Sequence, residues 1–530
     1  MFTTTLYPYQ DGDLERFLRR GNLLLAYDMG LGKTVVSIAA AEELIGRGEA
    51  GGDAGPVLII CPSGLRLQWA SEIALHTDVA TREITHKGMT FLVPEERYAV
   101  VIDGGPQRRK QLYQQIAETR PDYVIAGYQI VTAELRWFRR MWPTFIVLDE
   151  GTAIKNPAAD VTKAIRRLTA KWRLMLTGTP VERKLEELFH LLGWVDPAVL
   201  GDPSDRKAAI KFDRSFLVRN YWGRVVGYKN TDVLHRKVSG VLIRRRVTDP
   251  EVAPYMPKLK RRRLNVTMDA ATAMAYRKVV ADLAAELASL PARAQIDIGD
   301  YYQGIDENTP AGRVMAVYTA AQQLIDDPGL LAESPSAYAQ HLAASGVLDG
   351  LPESPKIRAL ARLVADLLKD PEAKVIIVSR FRRLVERLAQ RWPSISVIYH
   401  GQMSVVEKQA AVHKFRTDPD ARLFIMSHAG AYGVNLPVAT HLINVDPARS
   451  AGQRAQIDHR HVRASSTHGE VEVIDMVTVG TIEERAYDRL DLQGRVSRAV
   501  IDGVGADEHG RIDDDVITLT AHCEAVLSAA

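Results

Sequence analysis

The sequence predicts an α/β protein built from two parallel-sheet lobes with helical insertions between them. Short apolar runs rich in β-branched residues alternate with helical patterns in two stretches of the chain, as parallel sheets require. The residues between these stretches carry few strand signals and much Ala, Leu and Arg. A chain of 530 residues has room for about three domains. We expect a first lobe at 1–196, basic and helical insertions with the interlobe linker at 197–350, a second lobe at 351–490 and a tail at 491–530.

The first stretch contains apolar runs of strand length, with helical patterns such as Val35–Leu44 and Leu67–Leu75 between them. Strands that are buried on both faces are continuously apolar, so we expect one parallel sheet here. The predicted strands are Asn22–Tyr27, Val57–Cys61, Tyr123–Ala126, Phe145–Leu148 and Arg173–Leu176.

The second stretch repeats this alternation and predicts a second parallel sheet. Its helical patterns include Arg382–Arg391 and Val405–Phe415. Between the lobes we expect a helix over Ala270–Leu290 and a polar loop over Gly299–Gly312. The predicted strands of the second lobe are Lys374–Ser379, Ser396–Tyr399, Leu423–Ser427, His441–Val445 and Val471–Val477.

Composition excludes several classes of protein. With 46% hydrophobic and 25% charged residues, the chain is neither a disordered polyelectrolyte nor a membrane protein. No apolar run approaches the roughly 18–20 residues that a bilayer span needs. The first ten residues do not have the pattern of a signal peptide, and two cysteines are too few for a disulfide framework. We expect a protein of the reducing cytosol without a membrane partner.

The net charge of +3 conceals a strong segregation of charge. Residues 206–263 hold 17 Lys and Arg against 4 Asp and Glu, a local charge of +13, which leaves −10 for the rest of the chain. A single basic triplet usually forms a solvated helix face. Here Arg244–Arg246 and Lys260–Arg263 fall in one segment, and clustered cations favour a polyanion through counterion release.

A glycine-rich turn, Asp28–Thr34, follows the first predicted strand and opens a helix. Gly30 and Gly32 allow the backbone N–H groups and the helix N-terminus to face phosphate oxygens. Lys33 supplies a charge for the β- and γ-phosphates, and the Thr34 hydroxyl suits Mg²⁺. The turn predicts a phosphate-binding loop, although Tyr27 stands where the first glycine is usual.

A second signal is the apolar strand Phe145–Leu148, which ends in two carboxylates. Asp149 is suited to contact Mg²⁺, and Glu150 is suited to polarise the water that attacks the γ-phosphate. The alternative, a solvated acidic turn, would not explain why this carboxylate pair occurs in the same chain as a phosphate loop with Lys33. Together the two motifs predict ATP hydrolysis, with Lys33 and Glu150 as catalytic residues.

Further residues indicate a second participant in catalysis. Thr177 and Thr179 follow a predicted strand. Their hydroxyl groups could connect the γ-phosphate to the other lobe. Gln456, Arg460 and Arg463 lie at offsets 0, 4 and 7, which predicts one helical face. Arginines delivered to the γ-phosphate stabilise its charge in the transition state. The alternative is an arginine-rich surface helix.

The order of these motifs resembles the Snf2-like branch of the superfamily 2 helicases and translocases. Ten short segments spread over residues 6–490 match motifs of that family in the right order. They are Leu6–Gln10 (glutamine motif), Asp28–Thr34 (motif I), Cys61–Trp69 (Ia), Ala126–Tyr128 (Ib), Asp149–Asn156 (II), Leu176–Leu188 (III), Leu242–Arg245 (the Leu-Arg-Arg element), Lys374–Phe381 (IV), Ser427–Leu436 (V) and Gln456–Arg463 (VI).

The resemblance implies a fold of two RecA-like lobes of the P-loop NTPase class, and it implies residue roles. Gln10 is expected to read adenine. The residues expected to couple hydrolysis to movement are Thr152, Thr177, Thr179 and Gln456. The residues expected to contact DNA are Lys155, Arg244, Arg245, Ser427 and Arg449.

Three positions depart from the family pattern. Thr152 replaces the usual histidine of motif II, His459 replaces the usual Asp or Gly of motif VI, and Arg449 stands where a tryptophan is common. None of these changes removes a phosphate ligand or an arginine finger. We therefore expect an active ATPase whose coupling to movement is altered.

The function that the resemblance implies is a DNA-dependent ATPase that translocates along duplex DNA with ATP and Mg²⁺. It would have no small-molecule substrate beyond ATP and would act as a monomer on DNA. A strand-separating helicase of replication, recombination or repair, acting on forked or single-stranded DNA, is one alternative. A nucleotide-gated DNA clamp with negligible hydrolysis and an RNA-directed motor are the others. The short chain resembles the minimal cores of bacteria and phages, so we expect a bacterial cytosol or a phage-infected cell.

Overall fold

The computed structural model of the chain describes residues 1–86, 89–290, 306–428, 434–462, 466, 468–507, 510–514 and 518–528. The chain divides into two compact units, and each contains more than one segment of sequence. The first unit comprises Met1–Asn220, Val225–Met256 and Arg495–Asp513. The second comprises Tyr221–Arg224, Pro257–Gly494 and Asp514–Ala530.

A parallel sheet of seven described strands organises the first unit, in the order β11-β1-β8-β7-β2-β6-β5. Strands β3 and β4 form a separate antiparallel pair, and β9 and β10 form another. The strands are β1 (Asn22–Tyr27), β2 (Val57–Cys61), β3 (Thr81–His86), β4 (Met89–Pro94), β5 (Ala99–Val101), β6 (Tyr123–Gly127), β7 (Phe145–Leu148), β8 (Trp172–Leu176), β9 (Leu217–Arg219), β10 (Val225–Tyr228) and β11 (Leu242–Arg245).

Helices connect the parallel strands of this sheet, because a parallel pair needs a crossover. The central strands β2, β6 and β7 are buried throughout, which explains their continuous apolar sequences. The helices are α1 (Pro8–Arg20), α2 (Lys33–Gly46), α3 (Arg66–His76), α4 (Pro106–Thr119), α5 (Tyr128–Ala133), α6 (Leu135–Arg140), α7 (Asp160–Ile165), α8 (Leu185–Val195), α9 (Pro197–Leu200), α10 (Arg206–Phe216) and α11 (Thr231–Val238).

The second unit has its own parallel sheet of six described strands, in the order β12-β17-β16-β13-β15-β14. Its two core layers, one on each side of the sheet, take alternate residues of β13: Val375 and Ile377 face one layer, Ile376 and Val378 the other. The strands are β12 (Lys258–Val266), β13 (Val375–Ser379), β14 (Ser396–Tyr399), β15 (Leu423–Ser427), β16 (His441–Asn444) and β17 (Glu470–Thr478).

Helices of the second unit include the predicted insertion, in which α12 and α13 pack together around a buried apolar cluster. The helices are α12 (Ala270–Ala288), α13 (Pro310–Asp326), α14 (Gly329–Ala332), α15 (Ala337–Ala344), α16 (Pro355–Leu367), α17 (Arg382–Arg391), α18 (Val405–Thr417), α19 (Ala451–Asp458), α20 (Ile482–Ser497) and α21 (Leu519–Ser528). Among the described residues, no helix has both the length and the apolar character needed to cross a membrane.

These elements confirm the predicted fold class of two parallel α/β sheets with helical insertions. Every predicted strand is present, with ends that differ by one residue at most. The predicted helix at Ala270–Leu290 is α12, which ends at Ala288. The predicted loop at Gly299–Gly312 lies largely outside the described residues, and Pro310–Gly312 already belongs to α13.

Strand β12 is the main element that the sequence pattern did not predict. Its residues Lys258–Val266 pair in parallel with Glu470–Thr478 along the whole of β17. The pattern concealed it because four of its residues in a row are cations. Those cations form ion pairs with nearby acids: Lys260 with Glu470, Arg261 with Asp458 and Asp475, Arg262 with Glu472, and Arg263 with Asp491.

A segment near the C-terminus, residues 495–513, packs within the first unit. We call it the return segment. It contains the π-helical turn Arg498–Asp502 and a short strand, β18 (Ile512–Asp513), which pairs antiparallel with β10. Thr231 donates its hydroxyl to the carbonyl of Gly510 at 2.9 Å. The return segment is therefore a built-in part of the first unit.

A fully buried charged cluster joins the helical insertion of the second unit to its sheet. Lys356 Nζ lies 2.8 Å from Asp326 Oδ1 and also contacts Glu483, and none of the three side chains is exposed. Gln322 donates its amide to Glu483 at 2.6 Å and accepts a hydrogen bond from Arg380 at 3.1 Å. The cluster ties α13, α16 and α20 to the end of β13.

Two buried histidines of the second unit predict acid lability. Burial lowers the pKa of both His428 and His461 to about 3. The unfolded chain binds protons at these side chains near pH 6.5, whereas the folded chain does not until about pH 3. Each histidine therefore lowers the unfolding free energy as the pH falls below about 6.5, by at most about 1.4 kcal/mol per pH unit.

We expect His461→Gln to reduce the loss of unfolding free energy that occurs as the pH falls below about 6.5. The measurement is the calorimetric unfolding midpoint between pH 7.5 and 4.5. The control is His413→Gln, since His413 is an exposed residue of α18. Parallel profiles for wild type and His461→Gln would contradict the assignment.

Candidate active site

The predicted phosphate loop lies between β1 and α2, at the carboxyl end of the first sheet. Gly30 and Gly32 have φ of 85° and 82°, the left-handed region that favours glycine. Lys33 Nζ donates to the carbonyls of Tyr27 at 2.8 Å and Asp28 at 3.3 Å. The ammonium group is thus held over the loop. Thr34 is half-buried in the first turn of α2.

The end of β1 is clamped by α1 and β11. Asp13 of α1 accepts a hydrogen bond from Tyr27 Oη at 2.6 Å. It also accepts two bonds from Arg245, from Nε at 2.7 Å and Nη2 at 2.6 Å. Glu251 is a further ion-pair partner of Arg245 at 2.5 Å. Arg245 therefore holds the strand that leads into the loop.

A second clamp acts on the first residue of the loop. Arg244 Nη2 lies 2.6 Å from Asp28 Oδ1, and Arg244 Nη1 donates to the carbonyl of Ala26 at 2.7 Å. The other carboxylate oxygen of Asp28 accepts from the backbone N–H of Val247 at 3.0 Å. The Nε of Arg244 lies 3.2 Å from Asp502 of the return segment.

Gln10 packs directly on the loop. Its amide donates to the carbonyl of Leu31 at 3.0 Å and its oxygen accepts from the N–H of Tyr7 at 3.0 Å. A Cβ at Gly32 would collide with the Gln10 amide, so the glycine permits this close approach. Tyr7 also lies against Tyr255, with ring centroids 4.4 Å apart.

Asp149 follows β7 and is half-buried at the carboxyl end of the same sheet. Trp69 Nε1 donates to its Oδ2 at 2.8 Å, and the N–H of Glu150 donates to its Oδ1 at 3.0 Å. Burial raises the pKa of Asp149, while the bond from Trp69 and the charge of Lys33 lower it. Glu150 has φ of 50°, a strained conformation for a residue other than glycine.

The motif after β8 lies beside the phosphate loop. A Cβ at Gly178 would be 3.5 Å from the carbonyl of Tyr27 and 3.9 Å from Lys33 Nζ. Thr177 is fully buried and accepts a hydrogen bond from the N–H of Thr179 at 3.1 Å. The Thr179 hydroxyl is buried and has no hydrogen-bond partner among the described residues.

A 3₁₀ turn, Gly151–Ile154, follows Glu150. Thr152 lies on this turn and Lys155 directly follows it. Thr152 is half-buried, and its carbonyl accepts from the N–H of Lys155 at 3.2 Å. The Lys155 ammonium contacts Glu182 and lies 3.9 Å from Glu187. In this structure Lys155 is bound by acids of its own unit, and its contact with DNA stays a prediction.

The second unit carries the predicted motif VI. Gln456 lies on α19 and is buried, and Arg460 is also buried and donates to the carbonyl of Val434 at 3.1 Å. The prediction that one helical face carries all three residues is wrong for Arg460. Helix α19 ends at Asp458, and Arg460 beyond it contacts another segment, since its carbonyl accepts from the N–H of Leu436 at 3.0 Å. Arg463 lies outside the described residues.

Two predicted DNA contacts occupy the carboxyl end of the second sheet. Ser427 ends β15 and is buried, and Arg449 is exposed two residues before α19. Asp446, which follows β16, accepts from the Ser379 hydroxyl at 2.5 Å and from the N–H of Arg380 at 3.0 Å. The carboxyl ends of β13 and β16 are thus linked through a single carboxylate.

The structure divides the basic segment between the two units. Arg244–Arg246 belong to the first unit and Lys260–Arg263 to the second, and each of these cations is in an ion pair. Among the described residues, the side chains of Lys207, Lys211 and Arg214 on α10 form no ion pair. These three exposed cations of α10 therefore remain available to a polyanion, and all of them already belong to the basic segment 206–263 that the sequence indicated.

The residues of the first unit fit a magnesium nucleotide. A triphosphate and its metal require a loop whose glycines adopt positive φ, an ammonium held over it and a carboxylate nearby, and here the half-buried Asp149 at the end of β7 supplies the carboxylate. The buried hydroxyl of Thr179 is a further donor without a described partner. Sequence reasoning missed Trp69, Asp13 and Asp502 as site residues; only Trp69 had a signal, in motif Ia.

A parallel sheet with a phosphate loop after β1 and a carboxylate pair after β7 defines a P-loop nucleotide-binding lobe. Residues 15–329 match the family model described as SNF2-related domain, and residues 355–465 match the one described as Helicase conserved C-terminal domain. The first match covers more than half of the chain. The chain belongs to the SNF2-related domain family.

Several curated proteins are similar over most of the chain. The DNA repair and recombination protein RAD54 of Oryza sativa subsp. japonica is 26% identical, over 88% of this chain and 47% of the relative. The putative ATP-dependent helicase/translocase YwqA of Bacillus subtilis (strain 168) is 25% identical, over 94% of this chain and 49% of the relative. The human TATA-binding protein-associated factor 172 is 24% identical, over 90% of this chain and 27% of the relative. The chain thus spans about a quarter to a half of these relatives.

Solved structures are similar in fold. The Pyrococcus furiosus Hef helicase domain is 16% identical with a TM-score of 0.51, covering 90% of this chain and 97% of that one. The Sulfolobus solfataricus SWI2/SNF2 ATPase core in complex with dsDNA is 21% identical with a TM-score of 0.42, covering 95% and 94%. The likeness to the Hef domain agrees with two RecA-like lobes.

Proposed function

We propose that the chain is an ATP-dependent motor that binds DNA and translocates along the duplex backbone. The observation that carries the proposal is the phosphate loop, with Lys33 held on the carbonyls of Tyr27 and Asp28, in a chain of the SNF2-related domain family. The proposal places the protein in the cytoplasm of a bacterial or phage-infected cell, where DNA and ATP are both present.

The first unit binds the nucleotide in this proposal. Gln10 faces adenine, the N–H groups at Gly30 and Gly32 face the phosphates, and Lys33 neutralises the β- and γ-phosphates. Thr34 and Asp149 would hold Mg²⁺, which neutralises phosphate charge when it is bound. The hydrogen bond from Trp69 supports this role, because it favours the charged form of Asp149.

Hydrolysis requires an oriented water and a stabilised γ-phosphate. Glu150 positions the water, and its strained backbone is consistent with a side chain held for chemistry. Arg460 and Arg463 of motif VI stabilise the charge that develops on the transferring group. Thr152, Thr177, Thr179 and Gln456 couple this step to movement, with Thr152 in place of the histidine usual in the family.

DNA contacts in the proposal are contacts to phosphate, which position the protein without reading sequence. The exposed cations of α10 supply part of them, since Lys207, Lys211 and Arg214 form no ion pair among the described residues. Ser427 and Arg449 supply contacts from the second unit. The relative RAD54 is named for DNA repair and recombination, and YwqA is named as a putative helicase/translocase, which supports a nucleic-acid substrate.

The test is the ATPase rate of the purified chain without nucleic acid and with duplex DNA, single-stranded DNA or RNA. We expect duplex DNA to increase the rate of phosphate release at least about tenfold. A tenfold increase corresponds to a decrease of about 1.4 kcal/mol in the activation free energy. Displacement of a triplex-forming strand without opening of a forked duplex would support translocation. Fork opening would favour a strand-separating helicase, stimulation by RNA alone an RNA motor, and ATP binding without phosphate release a nucleotide-gated clamp.

A further inference from the structure

The return segment brings a buried acid to the base of the phosphate loop. Asp502 ends the π-helical turn Arg498–Asp502, and its side chain is 5% exposed. His235 Nδ1 lies 3.0 Å from the carbonyl of Val500, and Gly503, with φ of 72°, packs against the same imidazole ring. The position of Asp502 is therefore defined by packing within the first unit.

Three contacts connect Asp502 to the ammonium of Lys33. Asp502 Oδ1 lies 3.2 Å from Arg244 Nε, and Arg244 Nη2 lies 2.6 Å from Asp28 Oδ1. The backbone carbonyl of Asp28 then accepts from Lys33 Nζ at 3.3 Å. Every step of this path is a hydrogen bond or an ion pair between groups of one compact unit.

The geometry of arginine explains why two acids are needed. A guanidinium is planar and its donors point along different edges, so acids on two edges define its orientation. Asp28 and the carbonyl of Ala26 hold the Nη atoms of Arg244, and Asp502 holds Nε. Arg246 has a 3.6 Å contact with Asp502 but retains Asp249 at 2.7 Å. Loss of Asp502 therefore affects Arg244 most.

We infer that Asp502 is a positioning residue for nucleotide binding, which acts through Arg244 and Asp28 to hold the phosphate loop and Lys33 in the geometry that receives a triphosphate. The inference rests on the proposed function only in taking ATP as the ligand of the loop. It assigns the return segment to the nucleotide site. It also gives Arg244 a role in that site, in addition to the contact with DNA that the sequence predicts.

The sign of the effect separates positioning from simple electrostatics. Removal of a negative charge near a triphosphate makes the site more positive, so Coulomb attraction alone predicts tighter ATP binding for Asp502→Ala. A positioning role predicts weaker binding, because Arg244 loses the acid that orients it. Loss of a hydrogen bond to a charged group weakens the interaction by about tenfold.

The experiment is titration of the full chain with a fluorescent ATP analogue in the absence of DNA, together with KM and kcat for ATP. For Asp502→Ala we expect about tenfold weaker binding and an equal rise in KM, with kcat at saturating ATP within about twofold of wild type. Asp502→Asn retains an acceptor oxygen, so its affinity for the ATP analogue should lie between those of the wild type and Asp502→Ala. The matched control is Asp513→Ala, an exposed acid of β18 on the same return segment.

Unchanged or tighter binding by Asp502→Ala overturns the inference. A double-mutant cycle gives a second test: in an Arg244→Ala background, Asp502→Ala should weaken binding by less than about twofold, because the two residues act as one unit. If Asp502→Ala does not fold, Arg244→Lys, which keeps the charge but loses the Nε donor, must show the same loss. A wild-type chain that binds ATP without hydrolysing it defeats the proposed function, while the titration still tests Asp502.

Discussion

Replacement of Lys33 by alanine is expected to abolish ATP hydrolysis while DNA binding persists. The ammonium group lies over the phosphate loop, 2.8 Å from the carbonyl oxygen of Tyr27. Loss of one preorganised charge at a transferring phosphoryl group costs about 100- to 1,000-fold in rate. DNA affinity should change less than about twofold, because the predicted DNA contacts lie on other residues. The measurements are phosphate release with saturating duplex DNA and fluorescence anisotropy of labelled DNA.

The matched control for this loss is Lys163→Ala. Lys163 is an exposed lysine of α7 in the same unit, paired only with Asp160 among the described residues. It should hydrolyse ATP at the wild-type rate. Glu150→Gln provides an independent arm, since it removes the carboxylate that polarises water and keeps the shape of the side chain. Full turnover by Glu150→Gln would contradict the assignment of the site.

The second large effect is expected on stability, from Lys356→Met. Lys356 is fully buried between Asp326 and Glu483, so its loss leaves two buried carboxylates without their cation. Burial already raises the pKa of Asp326, and Lys356 opposes that rise. Removal of one partner from a buried ion pair costs about 3–5 kcal/mol. We expect a lower calorimetric unfolding midpoint for the second unit.

A lysine on the surface of the same unit provides the comparison. Lys369→Met removes an ion pair with Asp366, but its side chain is 77% exposed, so no measurable change is expected. A further variant, Lys356→Met with Asp326→Asn, should recover part of the loss, because it removes one of the stranded charges. Equal unfolding midpoints for Lys356→Met and Lys369→Met would show that the buried cluster does not stabilise the unit.

The two sheets could be predicted because buried parallel strands have continuous apolar sequences. Strands such as β2 and β7 consist of apolar residues only, apart from Cys61, and loops with distinct motifs follow them. The phosphate loop and the Asp149–Glu150 pair were predictable for the same reason, since each motif is local in sequence. The residues of each motif follow one another closely in the sequence, as in Asp28–Thr34.

The roles of the basic residues could not be predicted, because they depend on pairs that are far apart in sequence. Arg244 meets an acid 258 positions away, and Arg245 meets one 232 positions away. A run of cations reveals its charge but not the carboxylates that surround it after folding. The end of α19 was missed for a related reason: the spacing of Gln456 and Arg460 suits one helical face, but Arg460 pairs with Leu436, which is distant in sequence.

Strand β12 has a consequence for how the protein behaves at high concentration. Among the described strands it is an edge strand of the second sheet, with β17 on one side and no described strand on the other. Such edges invite intermolecular strand addition, and charged side chains are the commonest protection against it. Most of the residues of β12 are exposed, and four of them in a row carry charged, hydrated side chains that disfavour close pairing with a second copy of the strand. The same arginines that hold β12 to its own acids thus discourage aggregation through this edge.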